Sequence, residues 1–248
     1  MDRQEFIKGL GGVFGAMALG GCCSCACGCK KAKFRLGMAG WTLNHLKVDD
    51  ALAFCEKHGF RYLCVKDFHL PTDSTSAQIT AFLRKCADHG VAPSAAGPIE
   101  IRDLEMAKRR FDYVAALGVK TMAGVPWQPD AQGRTDWKHL CSNEPLCEKI
   151  AELADVYKIN FAIHNHGTKI ETGVPTLWPT PEAIMKTLKP LGPRMGLCLD
   201  VAYAYADGFD VPSVIRRYGD RIFDCHVRCI SDPLNGSSGA RPADRAFD

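Results

Sequence analysis

The stretch L-E-M-A-K-R-R-F-D-Y-V-A-A-L-G, residues 104–118, runs without a break into V-K-T-M-A-G-V-P, residues 119–126. Apolar residues in the first part recur at helical spacing, and the glycine that closes it supplies the left-handed backbone a helix end needs. The second part is a short apolar run of strand length. The same unit occurs at residues 48–59 followed by F-R-Y-L-C-V-K-D, and at 76–90 followed by V-A-P-S-A-A-G. Gly59, Gly90 and Gly118 punctuate these copies about every thirty residues, the length of one βα unit.

Three looser copies follow. A helix around 143–157 leads into I-N-F-A-I-H-N-H-G, one from T-P-E-A-I-M leads past Gly192 into M-G-L-C-L-D, and one from near Pro212 leads past Gly219 into R-I-F-D-C-H-V-R. With F-R-L-G-M-A-G as the first strand, seven strands alternate with six helices, which predicts a parallel sheet with helices outside it. An open doubly wound sheet and a (β/α)8 barrel both satisfy that pattern. No G-x-G-x-x-G follows the first strand, so the dinucleotide-binding form of the open sheet lacks support. Polar residues stand instead at many strand ends: Trp41, Lys66, Asp67, Glu100, Trp127, His164, His166, Asp200 and His226. Chemistry scattered around one rim is how barrels build sites, and a TIM barrel is the expected fold.

The 248-residue chain is 46% hydrophobic and 24% charged, with a formal net charge of +3. That charge is too small and too scattered for nucleic-acid binding, and no apolar run is long enough for a membrane span. The first residues differ from the rest. A short polar start and L-G-G-V-F-G-A-M-A-L-G, residues 10–20, have the form of a signal peptide over 1–21, with R-Q-E-F-I-K as a degenerate twin-arginine motif. L-G-G-C resembles the lipobox of bacterial lipoproteins, which makes Cys22 the lipidation site and residues 22–33 a cysteine-rich tether ahead of a barrel domain at 34–248. The expected location is the periplasm or outer cell envelope, with the lipid as the sole membrane contact. Five of the thirteen cysteines lie in that tether. Others, Cys55, Cys64, Cys198 and Cys225, stand within apolar runs, where a free cysteine is a small buried hydrophobe; Cys141 and Cys147 are placed to pair after export.

In F-A-I-H-N-H-G, residues 161–167, alternation puts His164 and His166 on one side of a strand and Asn165 on the other. That geometry suits a shared metal and equally a solvated strand end. The motifs L-G-M-A-G-W-T, Y-L-C-V-K-D-F-H-L-P, G-V-K-T-M-A-G-V-P, I-H-N-H-G, P-T-P-E-A, G-L-C-L-D and D-C-H-V-R, in this order, resemble the sugar phosphate isomerase/epimerase family of xylose isomerase-like TIM barrels. The resemblance runs from about Phe34 to Arg228. It implies one divalent metal ion, Mn, Zn, Co or Mg, held at the C-terminal rim by the ends of strands five to eight. Carried over, the metal ligands are His164, where many relatives have glutamate, Asp200 and His226. The family's carboxylate-base positions are histidine or missing here, so the candidate catalytic residues are Lys66, holding substrate oxygens, and Glu171, with Glu100 and Asp67 as further substitutes for a carboxylate base. Trp41, Lys66, Trp127, His166, Tyr203 and Arg228 make up the expected substrate-binding set.

The chain departs from the family pattern at three places. D-V-A-Y puts Tyr203 where D-x-G-H has histidine, H-V-R-C replaces H-x-K-D with Arg228 and Cys229, and nothing after Ile230 reads as a strand. The eighth strand, with its metal-binding glutamate, is therefore expected to be missing or replaced by the tail. A seven-stranded barrel would expose two sheet edges, which the tail or a second copy of the chain would cover. The expected activity is isomerisation or epimerisation of a sugar or keto-sugar through an enediolate. A lyase or hydratase acting on oxidised glycosides, and a degenerate sugar-binding barrel without a competent site, are the alternatives. The DNA-repair endonuclease IV branch of the superfamily needs more metal ligands and conflicts with export.

Overall fold

The computed structural model describes residues 35–168 and 177–228. The expected signal peptide and tether, Cys22 and Glu171, and everything beyond Arg228, including the place of an eighth strand, lie outside the described residues. Seven strands form one parallel sheet in chain order: β1 (Met38–Ala39), β2 (Tyr62–Val65), β3 (Ala92–Ile101), β4 (Thr121–Gln128), β5 (Asn160–His164), β6 (Met195–Asp200) and β7 (Ile222–His226). The order never reverses, so the sheet curls into a nearly closed barrel rather than an open doubly wound layer. Among the described residues β1 and β7 each pair on one side only, which leaves one unsealed seam. Leu36 and Val227, beside those edges, are 55% and 72% exposed.

Outside the sheet lie α1 (Val48–Lys57), α2 (Ser76–Asp88), α3 (Leu104–Ala116), α4 (Glu144–Tyr157), α5 (Pro181–Leu188), α6 (Val201–Ala206) and α7 (Val211–Tyr218). The one expected helix between the last two strands is thus two, α6 and α7. The helices follow from their sequences. In α3, Ala107, Phe111 and Val114 fall on one face and are completely buried, while Asp103 caps the start by accepting from Met106 N–H. Thr75 and Gln78 form a reciprocal capping box at the start of α2. Gly59, Gly90 and Gly118 take positive φ at the first three helix ends. After α4, where no glycine is available, Lys158 takes the left-handed position at φ 54°.

The main hydrophobic core lies between helices and sheet, with Phe111, Phe161, Leu52, Ile150 and Leu188 fully buried. A second, small cluster of Ala123, Ala162 and Cys198, with Phe223, lines the inside of the sheet. Cys55, Cys64 and Cys198 are buried as expected, whereas Cys225 is exposed. Its neighbours Asp224 and His226 face inward, so alternation turns Cys225 out on the edge strand, where no further strand or helix among the described residues covers it. Cys141 and Cys147 are free thiols. Cys141 belongs to a two-residue antiparallel strand (Cys141–Ser142) that pairs with the end of β4. No helix among the described residues is long and apolar enough to cross a membrane.

Candidate active site

β5, β6 and β7 are adjacent and parallel, so their last residues stand side by side. Register pairs His164 with Cys198, Cys198 with Asp224, and Asp200 with His226. Parallel partners share a face, and all these side chains point into the barrel mouth. His164 and Asp200, 6% and 3% exposed, meet at 3.4 Å between Nε2 and Oδ2. The rings of His164 and His226 lie 4.9 Å apart between centroids, and those of His164 and His166 lie 4.8 Å apart. The alternation argument for the H-N-H stretch therefore holds: both histidines reach one site.

Asn165, on the opposite side, is fully buried and does structural work there. Its Nδ2 donates to the Asp200 carbonyl at 3.2 Å, and Asp200 N–H donates to its Oδ1 at 2.8 Å. This two-point clamp fixes the end of β6 against the end of β5. Asp200 is also the N-cap of α6, accepting from Tyr203 N–H at 3.0 Å. Arg228 Nε approaches its two carboxylate oxygens at 3.2 and 3.4 Å and lies over the Tyr203 ring, 4.2 Å from the centroid. Burial alone would raise the Asp200 carboxyl, but the hydrogen bond and charge of His164, together with Arg228, outweigh it and hold the carboxyl below its ordinary range.

His166 is braced by the segment after the undescribed stretch. Its N–H donates to Trp178 O, and its Nδ1 lies 2.9 Å from Leu177 O. A carbonyl only accepts, so Nδ1 carries the proton and Nε2 keeps a lone pair. Burial, reinforced by His164, pushes the His166 pKa down to about 3, and the same two causes put His226 at about 3. Both rings are neutral at ordinary pH. Trp178, almost completely buried, anchors this segment by donating Nε1–H to Pro126 O at 2.7 Å.

The other expected residues divide. Lys66 joins the site: its ammonium donates to Pro98 O at 2.8 Å, and its charge helps to lower the His226 pKa. It lies 3.5 Å from Asp67 and over the Trp41 ring at 5.6 Å. Trp41 is 62% exposed at the rim, while Trp127 is buried with its indole nitrogen unpartnered. Tyr203 packs beside both His164 and His166, 6.3 Å from each ring. Glu100 is exposed, and so is Asp67 beside Lys66.

Three neighbours are not assigned to the site by the sequence reading. Trp137, half-exposed, meets the His166 ring edge-on at 5.4 Å. Asp224 accepts from the Cys64 thiol at 3.8 Å, and burial lifts its carboxyl above the ordinary range. Cys198 is fully buried beside His164. The signal for Asp224 was available, because F-D-C-H places it two residues before His226 on the same face.

The donors present fit a metal ion. Among the described residues two groups converge, His164–Cys198–His226 and Cys64–Asp224–His226, each offering ligand atoms within 4.8 Å of one another. His164 Nδ1 and His226 Nε2 are buried with no hydrogen-bond partner, an arrangement unfavourable for a polar atom unless something else satisfies it.

Residues 52–245 match the family model described as the xylose isomerase-like TIM barrel, and the chain belongs to that family. No curated protein matches it in sequence. Among solved structures, a xylose isomerase domain protein from Alicyclobacillus acidocaldarius subsp. acidocaldarius is 13% identical, with a TM-score of 0.64 over 84% of this chain and 78% of that one. D-psicose 3-epimerase in the presence of D-fructose is 18% identical, with a TM-score of 0.60 over 78% and 72%. A sugar phosphate isomerase/epimerase from Parabacteroides distasonis ATCC 8503 is 18% identical, with a TM-score of 0.55 over 78% and 75%. At these identities the likeness is one of fold.

Proposed function

We propose that this member of the xylose isomerase-like TIM barrel family is a divalent-metal-dependent isomerase or epimerase of a sugar or keto-sugar. The observation that carries the reading is the meeting of His164, Asp200 and His226 at one end of the barrel, with two buried imidazole nitrogens left unpartnered there. His164 and His226 would hold the ion, with Asp200 fixing His164 through its Nε2. Bound there, a divalent ion supplies Lewis-acid polarisation of a carbonyl and its neighbouring hydroxyl, which acidifies the carbon-bound proton between them.

The chain's own groups do the rest. His166, neutral and with Nδ1–H committed to Leu177 O, presents Nε2 as a proton acceptor beside His164. Lys66, held by Pro98 O, places a positive charge near developing oxygen charge. Trp41 and Trp137 offer exposed aromatic faces at the rim for the apolar side of a sugar ring. The reading includes export, with Cys22 as a lipid anchor, and coverage of the β1/β7 seam by a second copy of the chain. In D2O the metal-loaded protein should introduce deuterium next to the carbonyl of at least one ketose or aldose in a sugar panel. His166→Gln should keep the metal and lose that exchange. No exchange with any sugar by fully loaded protein would overturn the catalytic reading.

A second reading has its own support. The Arg228 guanidinium already sits on both oxygens of Asp200, a built-in cation at the carboxylate the family pattern assigns to metal. A barrel that binds sugar without turning it over would keep that pair closed.

A further inference from the structure

The geometry points to a thiolate in the metal site: Cys198, with His164 and His226, forms a sulfur–imidazole ligand set that takes Zn(II) or Co(II). The inference rests on the metal-site reading above and goes beyond it, because the resemblance supplies only Asp200, His164 and His226. Three observations support it. His164 and Cys198 are direct register partners on β5 and β6, and Cys198 and Asp224 are partners on β6 and β7. The Cys198 side chain thus lies on the inward face between the two imidazoles. Donor atoms from His164, Cys198 and His226 all lie within 4.8 Å of one another. Zinc bonds of about 2.0–2.3 Å put tetrahedral donors a little over 3 Å apart, so side-chain rotations of about an ångström close the site.

The second observation is where bonding capacity remains. Asp200 is taken on several sides, by His164, by Arg228 and by Tyr203 N–H. The imidazole atoms left without a hydrogen bond are His164 Nδ1, on a ring only 6% exposed, and His226 Nε2, whose contact with Asp224 Oδ2 at 3.9 Å is longer than a hydrogen bond. The third is the contrast between the two inward thiols. Cys64 donates to Gly97 O at 3.5 Å and to Asp224 at 3.8 Å, whereas Cys198 is fully buried and has no side-chain hydrogen bond among the described residues.

Ligation releases the thiol proton to solvent and leaves a thiolate on the ion. Two imidazoles and one thiolate make a soft, three-donor set with a fourth position open for a substrate oxygen, a combination that favours Zn(II) and Co(II) over Mg(II) and Mn(II). An oxygen-rich set of the kind the family pattern implies would not discriminate in that direction so strongly.

Cobalt makes the sulfur visible. The protein to use is the full chain with Cys22, Cys23, Cys25, Cys27 and Cys29 changed to serine, so that the tether contributes no thiolate. Loaded anaerobically with Co(II), it should bind one ion per chain and show visible tetrahedral bands together with a near-ultraviolet thiolate-to-cobalt charge-transfer band. Cys198→Ser should lose the charge-transfer band and keep cobalt on the imidazoles, with thermal unfolding of the metal-free protein confirming its fold. Cys64→Ser should retain the band. A band that survives Cys198→Ser, or that disappears in Cys64→Ser alone, overturns the assignment to Cys198. Cobalt bound without any charge-transfer band overturns the thiolate and leaves the metal site standing. Failure to bind cobalt at all overturns both.

Discussion

Asn165→Ala tests the element that positions the site without touching its chemistry. The Asn165 amide is fully buried and makes two hydrogen bonds to the Asp200 backbone, at 2.8 and 3.2 Å. Truncation removes both hydrogen bonds to the Asp200 backbone, a loss of about 1–3 kcal/mol for each group left buried without a substitute partner. Removing the amide also removes its own burial penalty, and a water entering the vacated space would recover part of the loss. The net expectation is a destabilisation of about 2–4 kcal/mol, or roughly 5–15 °C in Tm for a chain of this size. Urea unfolding followed by far-ultraviolet circular dichroism gives the free energy, with an unchanged slope showing that the unfolded state is the same. Because the clamp also sets the Asp200 carboxylate against His164 and Arg228, the variant should lose metal affinity even where it remains folded. A loss below about 0.5 kcal/mol would refute the claim that this clamp fixes the end of β6.

Gly196→Ala should be poorly tolerated, because its Cβ would lie within 3 Å of the Arg221 carbonyl and the Phe223 ring; Gly219→Ala, with ordinary φ and open space, should be neutral or stabilising by up to about 1 kcal/mol in the same unfolding assay. In chelator-treated protein, His166 and His226 are neutral down to about pH 3, whereas in the unfolded chain they take up protons near pH 6.5. The unfolded state thus binds more protons, and urea stability should fall by several kcal/mol in order of magnitude as pH drops from about 6.5 towards 3. Asp200, with its carboxyl lowered, adds a further loss only below about pH 4; a flat profile between pH 7 and 4.5 would contradict the histidine assignments. Arg228→Gln removes a positive charge that sits on Asp200 beside the proposed ion, so calorimetric titration should show Zn(II) affinity about 10-fold higher through lost charge repulsion. Unchanged or weaker binding would show that Arg228 does not compete with metal.

The barrel was legible because its signals are local and repeated. Helical spacing, a glycine at the helix end and an apolar run, as at residues 104–126, specify one βα unit, and repetition without a dinucleotide loop specifies the rest. The rim residues were legible where strand alternation alone places them, as with His164, His166 and His226. The partners were not. That Asp200 is held by His164 and Arg228, that Asn165 clamps a neighbouring strand, and that Cys198 stands beside His164 depend on contacts between residues about thirty positions apart. Composition carries no such information. Trp137 was missed for a related reason: a short 3-10 turn after β4 brings it to His166, and no periodicity marks that turn. Cys225 read as buried because an apolar run does not reveal that, among the described residues, its strand lies at an edge.

The central claim is that the barrel mouth holds one divalent ion, and metal content tests it most directly. Plasma mass spectrometry on the full chain with its five tether cysteines changed to serine, beside the same protein with His164, Asp200 and His226 all changed to alanine, separates rim metal from tether metal. The account predicts close to one zinc, cobalt or manganese ion per chain in the first protein and none in the second. No metal in the first protein, even after reconstitution, would contradict it and leave Arg228 as the cation that Asp200 was built to hold.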